Sequence, residues 1–541
     1  MSVTVPAPPE LVPREPTSFP GPSAPGAPAP PDPQRWLRDW PQEEQPGWAS
    51  PTAAAATASR ALSCAPWLLL GVFLAAELAI CFAQFTGPFL DEGIYVTAGL
   101  RTLQGHGIAD NYLGWFSGSL LWPVVAALGW KLAGLAGARA AAALCVTAGM
   151  AGMVGAAGNL FGPRTRAFAA LAAVTSGPVI ALGHLAVYDT AAVAFAGGAL
   201  WAVSEFLRRD DRSWLVGAAL LYALAGLCKY PVLAFIAPPL VLLILTARGR
   251  RAALDLSLFA MVAGAVLLVY FMANRAQLIG FASFRTQENP SFGVSTAQIA
   301  YSQVYYTAVP LALALAGALL LARLRHRAPE LDSSPPARRW LAPALLTGVI
   351  AAPLYHLGTG NPSGDQKHVV FGLLFILPLA GVTLERAFAG RRGWLGATLL
   401  TLGLAVFAVV QVVRIDESWP DLRPSAAVLS AGVHPGERLL VNSAWVEDAY
   451  LYDRGRVSSP YNLYDVYRVE HLARPVNVCG FQWFVAVPGG EAWPAAVRAQ
   501  MLRCGTFREV YSARATLTNL GRNLRFVTYT EPIEIWRNEP R

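Results

Sequence analysis

Between about residues 65 and 413 the chain is a succession of apolar runs separated by short polar turns. A helix needs roughly 20 apolar residues to cross the hydrocarbon core of a bilayer. Backbone groups in lipid must pair internally, which leaves helices or closed barrels. The runs near 65–85, 140–160, 166–183, 190–207, 213–228, 231–246, 253–273, 304–324, 340–357, 368–385 and 393–413 are continuously apolar. Barrel strands would alternate polar and apolar positions. The pattern predicts an all-α membrane domain of about eleven spans.

One further run, 115–135, is broken by Gly, Ser, Pro and Lys131. Charge decides how to place it, because cytoplasmic loops collect Lys and Arg. If 115–135 does not cross, one set of loops holds sixteen arginines: 164 and 166; 208, 209 and 212; 248, 250 and 251; 323, 325, 327, 338 and 339; 386, 391 and 392. The opposite loops after residue 140 hold four basic residues, Lys229, Arg275, Arg285 and Lys367. Residues 115–135 are therefore expected to lie along the interface or re-enter. That puts the N-terminus inside the cell and the C-terminus outside.

The flanks differ from the apolar middle. Residues 1–63 are rich in Pro, Ala and Ser and predict a disordered cytoplasmic extension. The membrane domain is expected over 64–414. Residues 415–541 return to soluble composition, with β-like runs at Arg438–Val441, Trp483–Val487, Leu524–Tyr529 and Ile533–Trp536 and a helical stretch near Ala492–Leu502. They predict a small extracytoplasmic α/β domain. If it lies outside, Cys479 and Cys504 could form a disulfide; Cys64, Cys81, Cys145 and Cys228 read as apolar fillers.

Composition agrees with this picture and removes others. The chain is 54% hydrophobic and 14% charged, where a soluble domain carries about 25% charged residues. The formal charge is +8, yet only Lys131, Lys229 and Lys367 of 42 basic residues are lysine. That bias is typical of a high-GC genome, so a nucleic-acid partner is not expected.

Candidate chemistry gathers on the outer face. The first outer loop reads Asp91-Glu92-Gly93-Ile94-Tyr95 and leads into a short interfacial helix. Acids there can simply favour a helix N-terminus. Asp189, in Tyr188-Asp189-Thr190, can likewise be an N-cap, and Asp110 reads as a turn residue. Lys229 and Lys367 fall on the side where basic residues are fewest. Interfacial snorkelling explains a lysine there, but a lysine is also a compact phosphate-binding charge. Four of seven histidines, His106, His184, His356 and His368, share this face without a convincing metal spacing. Arg275 and Arg285 can bind phosphate, although solvent exposure is the commoner fate.

The order of these features resembles the GT-C glycosyltransferases that use polyprenyl-phosphate sugars, in particular the protein O-mannosyltransferase-like and aminoarabinose transferase-like branches. The matching elements are Asp91-Glu92-Gly93-Ile94-Tyr95, then Leu103–Gly107, Tyr188-Asp189-Thr190, Leu227-Cys228-Lys229-Tyr230-Pro231, and Lys367-His368 running to Leu377-Pro378-Leu379. Relatives often carry a Glu or His with prolines where this chain has Gly114-Trp115-Phe116-Ser117-Gly118-Ser119. That departure weakens the case for a metal site.

The resemblance implies a GT-C membrane domain and an inverting transfer of a sugar from a polyprenyl-phosphate donor to an acceptor hydroxyl at the outer face of the cell membrane. Asp91 is the expected general base. Lys229, Lys367 and His368 are expected at the donor phosphate. Glu92, Asp189 and Asp110 are expected to orient the acceptor or hold a divalent ion, and Tyr95, His184 and Tyr188 to line the substrate. The acceptor is open among protein, glycolipid and polysaccharide. Two rivals are a transporter or lipid flippase, which would place ionisable groups at mid-membrane, and a non-catalytic membrane partner.

Overall fold

The computed structural model describes residues 53–108, 117–246, 249–287, 294–327, 340–362, 364–388, 393–442, 445–457, 463–464, 477–488 and 495–539. Residues 1–52, most of the expected N-terminal extension, lie outside this set. The first helix, α1 (Ala53–Ala83), begins ahead of the expected boundary at residue 63. Its opening Ala-rich turns are strong helix formers. Helix α2 (Leu90–Leu103) is the expected interfacial helix.

Helix α3 (Leu121–Phe161) contains a break at Ala133 and Gly134, where Gly134 takes φ +60°. Its two arms fold back on each other: a Cβ on Gly129 would sit 2.5 Å from the Gly137 carbonyl oxygen. The first arm, 121–132, is about 18 Å long and too short to cross a core of roughly 30 Å. The sequence expectation that this stretch does not cross agrees with that geometry.

The following helices are α4 (Pro163–Val174), α5 (Gly177–Gly183), α6 (Tyr188–Arg209), α7 (Arg212–Cys228), α8 (Val232–Leu245) and α9 (Gly249–Ala273). The long outer connection expected at 274–303 contains a helix, α10 (Arg275–Gln287). Then come α11 (Thr296–Arg327), α12 (Leu341–Leu346), α13 (Ala351–Thr359), α14 (Asp365–Phe388) and α15 (Gly393–Asp416). Among the described residues eight helical stretches, with Leu341–Thr359 (α12 and α13) counted as one, are long and apolar enough to cross a membrane, and α4 with α5 makes up to a ninth span bent by 69°. Helices α7 and α8 are apolar but shorter. Each of the eleven expected runs thus appears as a helix or a bent pair among the described residues.

Packing follows the rule for lipid-embedded helices, in which small residues let backbones approach. Helices α3 and α6 meet where a Cβ on Gly197 would lie 2.1 Å from the Gly149 carbonyl oxygen. Helix α14 is buried along most of its length and forms the centre of the bundle. Helix α15 shows the opposite arrangement. Leu395, Leu399, Leu402, Val406, Val409 and Val413 form an exposed stripe, while Ala397, Leu404, Ala408 and Gln411 are buried. An apolar stripe facing outward suits hydrocarbon as the surrounding solvent.

The C-terminal region adds α16 (Arg423–Gly432), β1 (Leu439–Val441), α17 (Trp445–Asp453), β2 (Leu463–Tyr464), β3 (Trp483–Ala486), α18 (Ala495–Cys504), β4 (Phe507–Leu520) and β5 (Phe526–Asn538). The strands form one sheet in the order β2-β1-β3-β5-β4; β1 pairs in parallel with β2 and β3, and the β3–β5 and β4–β5 pairs are antiparallel. The two runs expected at 524–529 and 533–536 are one strand, and its long partner β4 was not expected. The β4–β5 hairpin reaches the membrane domain: Gln298 Nε2 donates to the Leu520 carbonyl at 2.9 Å, and the Thr518 amide to the Glu417 carbonyl at 2.8 Å. Helix α17 packs on α2, where Tyr452 hydrogen-bonds Gln104, and its Tyr450 ring stands 5.0 Å from that of Trp130 in the first arm of α3.

Candidate active site

Two lysine–aspartate pairs meet at one end of the bundle. Asp91 lies in the first turn of α2, and Lys367 in the first turn of α14. Lys367 Nζ stands 2.5 Å from Asp91 Oδ2 and 4.7 Å from the centre of the Phe89 ring. Asp189 is in the first turn of α6, and Lys229 in the turn between α7 and α8. Lys229 Nζ bonds Asp189 Oδ1 and lies 4.7 Å from the centre of the Tyr188 ring. Asp189 and Lys229 are fully enclosed, whereas the Asp91 side chain keeps 21% of its surface accessible. A reactant can therefore reach Asp91. Burial pulls the Lys229 ammonium below the ordinary lysine range, and the Asp189 charge opposes that pull.

Backbone pairing fixes the lysine turn. The Ser119 amide donates to the Leu227 carbonyl at 2.8 Å and the Tyr230 amide to the Ser117 carbonyl at 2.8 Å. Between them Gly118 has no room for a side chain, since a Cβ would sit 2.2 Å from the Cys228 carbonyl oxygen. The Ser117 hydroxyl, 2.6 Å from the Tyr188 hydroxyl, ties the same segment to α6.

Two histidines close the cluster. His356 Nδ1 is 2.6 Å from the Asn361 carbonyl oxygen, and His356 Nε2 is 2.8 Å from His368 Nδ1. His368 Nε2 lies 3.9 Å from Asp189 Oδ1. The other carboxylate oxygen, Asp189 Oδ2, is buried and has no hydrogen-bond partner among the described residues.

Other expected site residues have different surroundings. Glu92 is fully buried, and Arg139 grips it with Nε to Oε1 at 2.9 Å and Nη2 to Oε2 at 2.8 Å. It also accepts from the Ala186 amide at 2.7 Å and the Phe89 amide at 2.7 Å. With both oxygens so occupied, Glu92 fastens the Asp91 loop to the Asp189 loop and leaves no lone pair for an acceptor or ion. His184 is not beside the lysines: Nδ1 is 3.1 Å from Glu77 and Nε2 3.1 Å from Asp416. Burial opposes its charge, but the two carboxylates prevail and raise it to about 9, so it is an imidazolium clamp between α1 and α15. Tyr95 does sit at the site, its ring 4.5 Å from that of Tyr188. Burial and the neighbouring Tyr188, Asp91 and Asp189 keep its phenol protonated. Asp110 lies outside the described residues, and Arg285 falls within α10.

The signal for Arg139 in the sequence is an arginine inside an apolar run, which calls for a buried partner. Among the described residues no group of three or more His, Cys, Asp or Glu side chains is placed to hold a metal ion. The cation at Asp189 is the Lys229 ammonium.

Residues 118–275, which include Asp189 and Lys229, match the family model described as dolichyl-phosphate-mannose-protein mannosyltransferase. A comparison with curated protein sequences gives no match. The fold is similar to the crystal structure of ArnT from Cupriavidus metallidurans in the apo state, with a TM-score of 0.52 and 17% identity over 86% of this chain and 97% of that one. It is similar to the same protein bound to undecaprenyl phosphate, with a TM-score of 0.52 and 16% identity over 86% and 98% of the two chains. The chain thus shares the fold of these ArnT structures, and its residues 118–275 are similar to the mannosyltransferase family model.

Proposed function

We propose that the chain moves a sugar, with inversion, from a polyprenyl-phosphate donor to an acceptor hydroxyl at the outer face of the cell membrane. The observation that carries this reading is the convergence of the Asp91–Lys367 and Asp189–Lys229 pairs. Two carboxylates and two ammonium groups sum to zero, so the site is balanced before a donor arrives. A donor phosphate brings one negative charge, and the lysines are the cations able to meet it. As the bond from the anomeric carbon to the phosphate oxygen breaks, its electron pair stays on phosphate, where Lys229 and Lys367 stabilise the growing charge. The acceptor oxygen forms the new bond and its proton passes to Asp91, the more exposed of the two carboxylates. One of the similar structures holds undecaprenyl phosphate, the species such a reaction releases.

Sidedness rests on helix length. Helix α6 runs from Asp189 to Arg209 and α14 from Lys367 to Arg386, about 30 Å each. The arginine-rich ends thus lie about a bilayer away from the site, and the tendency of arginines to stay cytoplasmic supports a site on the outer side. Glu205, held by Arg208 at 2.5 Å and Arg209 at 2.7 Å, belongs to that far end.

The test is purified protein in lipid nanodiscs, given a panel of polyprenyl-phosphate sugars with protein, glycolipid and polysaccharide acceptors. Wild type is expected to release free polyprenyl phosphate with at least one pair, and Asp91→Asn to insert normally without turnover. Absence of release from wild type with every pair ends the transferase reading.

A further inference from the structure

The hydrogen-bond chain through the two histidines fixes a tautomer. A carbonyl oxygen only accepts, so His356 Nδ1 carries a proton and donates it to Asn361. In a neutral ring His356 Nε2 then bears a lone pair, and His368 Nδ1 must donate to it. The His368 ring is buried, and Asp189, 3.9 Å away, is already paired with Lys229, so the ring has no charge partner of its own among the described residues and stays neutral. His368 therefore spends its one N–H on His356 and presents Nε2 as an acceptor. Neutral His368 cannot donate to a phosphate, which is the role its position beside Lys367 suggests in the sequence.

That acceptor faces another. Nε2 lies 3.9 Å from Asp189 Oδ1, beyond hydrogen-bonding range, and Asp189 Oδ2 is enclosed with no donor among the described residues. A buried carboxylate oxygen without a donor is costly, and here it stands next to a second acceptor and to the two lysines. The missing complement is a group rich in O–H donors and attached to phosphate. We propose that Asp189 Oδ2 and His368 Nε2 form the subsite for the donor sugar's hydroxyl groups, with His356 as the positioning residue that holds His368 in the accepting tautomer. This rests on the donor reading above and deepens it: the lysines hold phosphate, and this corner holds sugar.

The experiment compares binding of bare undecaprenyl phosphate with binding of undecaprenyl phosphate carrying mannose or arabinofuranose, to the whole protein in nanodiscs. Wild type is expected to hold at least one glycosylated lipid about tenfold more tightly than the bare lipid. His368→Phe and His356→Leu are expected to lose that tenfold preference while bare-lipid affinity stays, which also reports that the variants are folded. His356→Gln, whose side-chain oxygen can accept from His368 Nδ1, is expected to restore it. If wild type binds the bare and glycosylated lipids equally, or if His356→Gln is as impaired as His356→Leu, the subsite is wrong although the phosphate reading stands. If even the bare lipid fails to bind wild type, the donor reading itself has failed.

Discussion

Lys367 Nζ and Asp91 Oδ2 are 2.5 Å apart across 276 residues of chain. The contact joins the interfacial helix after the first span to the central helix of the bundle. The Glu92–Arg139 pair locks the same loop one residue further on, so Asp91 sits on a rigid mount. The chain thus separates two jobs between adjacent acids: Glu92 fixes position and Asp91 keeps an accessible oxygen.

Asp91→Asn should lower turnover by about 10²–10⁴-fold, the usual worth of a general base. Donor affinity should hold or rise, since Lys367 loses the carboxylate that competes with phosphate. Steady-state release of polyprenyl phosphate beside direct donor binding separates the two effects. A mutant that turns over normally rules out Asp91 as the base.

The buried Lys229–Asp189 pair predicts a non-additive result. Lys229→Met strands an enclosed carboxylate, and breaking such a pair typically costs about 3–5 kcal/mol. Lys229→Met combined with Asp189→Leu removes both charges and should melt much closer to wild type than the single mutant. It should nevertheless be inactive, because no ammonium remains there to meet the leaving phosphate. Detergent-solubilised thermal unfolding and turnover, measured on all three variants, check the two halves independently.

Much of this architecture is visible in the sequence, because a bilayer imposes length and apolarity on each span. Asp91, Lys229, Lys367 and Asp189 stood out as ionisable residues on the side with fewest arginines, and the fold unites them. Glu92 and His184 shared that side, yet each has distant partners, Arg139 for one and Glu77 with Asp416 for the other. Side of the membrane is a one-dimensional signal, whereas pairing across 47 or 107 residues depends on helix packing. Strand β4 was missed for a similar reason. Its sequence, Phe507–Leu520, carries charged and small residues, and its pairing with β5 over the full hairpin supplies the order that its composition does not.

The Cys479–Cys504 disulfide joins the turn before β3 to the end of α18. Closing a loop of 25 residues is worth about 3 kcal/mol in the chain-entropy account. Cys479→Ser should destabilise the C-terminal domain by that order. A membrane-impermeant reductant followed by a maleimide should label both sulfurs in intact cells, which checks the outer placement of the domain. Labelling only after permeabilisation would contradict that topology.

Glu447 gives the domain a pH dependence of definite sign. It sits on α17, the helix packed against α2, and is fully buried. Ser425 Oγ is 3.3 Å from Oε1, Oε2 has no partner among the described residues, and Asp448 is adjacent in sequence. Burial is the main cause that pushes its carboxyl up to about 7, and the Asp448 charge adds to it. A carboxyl raised on folding favours the folded state while protonated. The contribution is complete below the ordinary carboxyl range near 4.5 and is lost as pH rises through about 7. The swing is of the order of 3 kcal/mol between pH 4 and pH 8. Hydrogen exchange of peptides from α17 should therefore quicken between pH 5 and pH 8 beyond the intrinsic base-catalysed rise. Glu447→Gln keeps the shape without the charge, and should remove that excess and raise the melting temperature at pH 8. Since α17 braces the helix that carries Asp91, the same substitution should flatten any loss of turnover above pH 7. Equal excess exchange in Glu447→Gln and wild type would mean that some other group carries the titration.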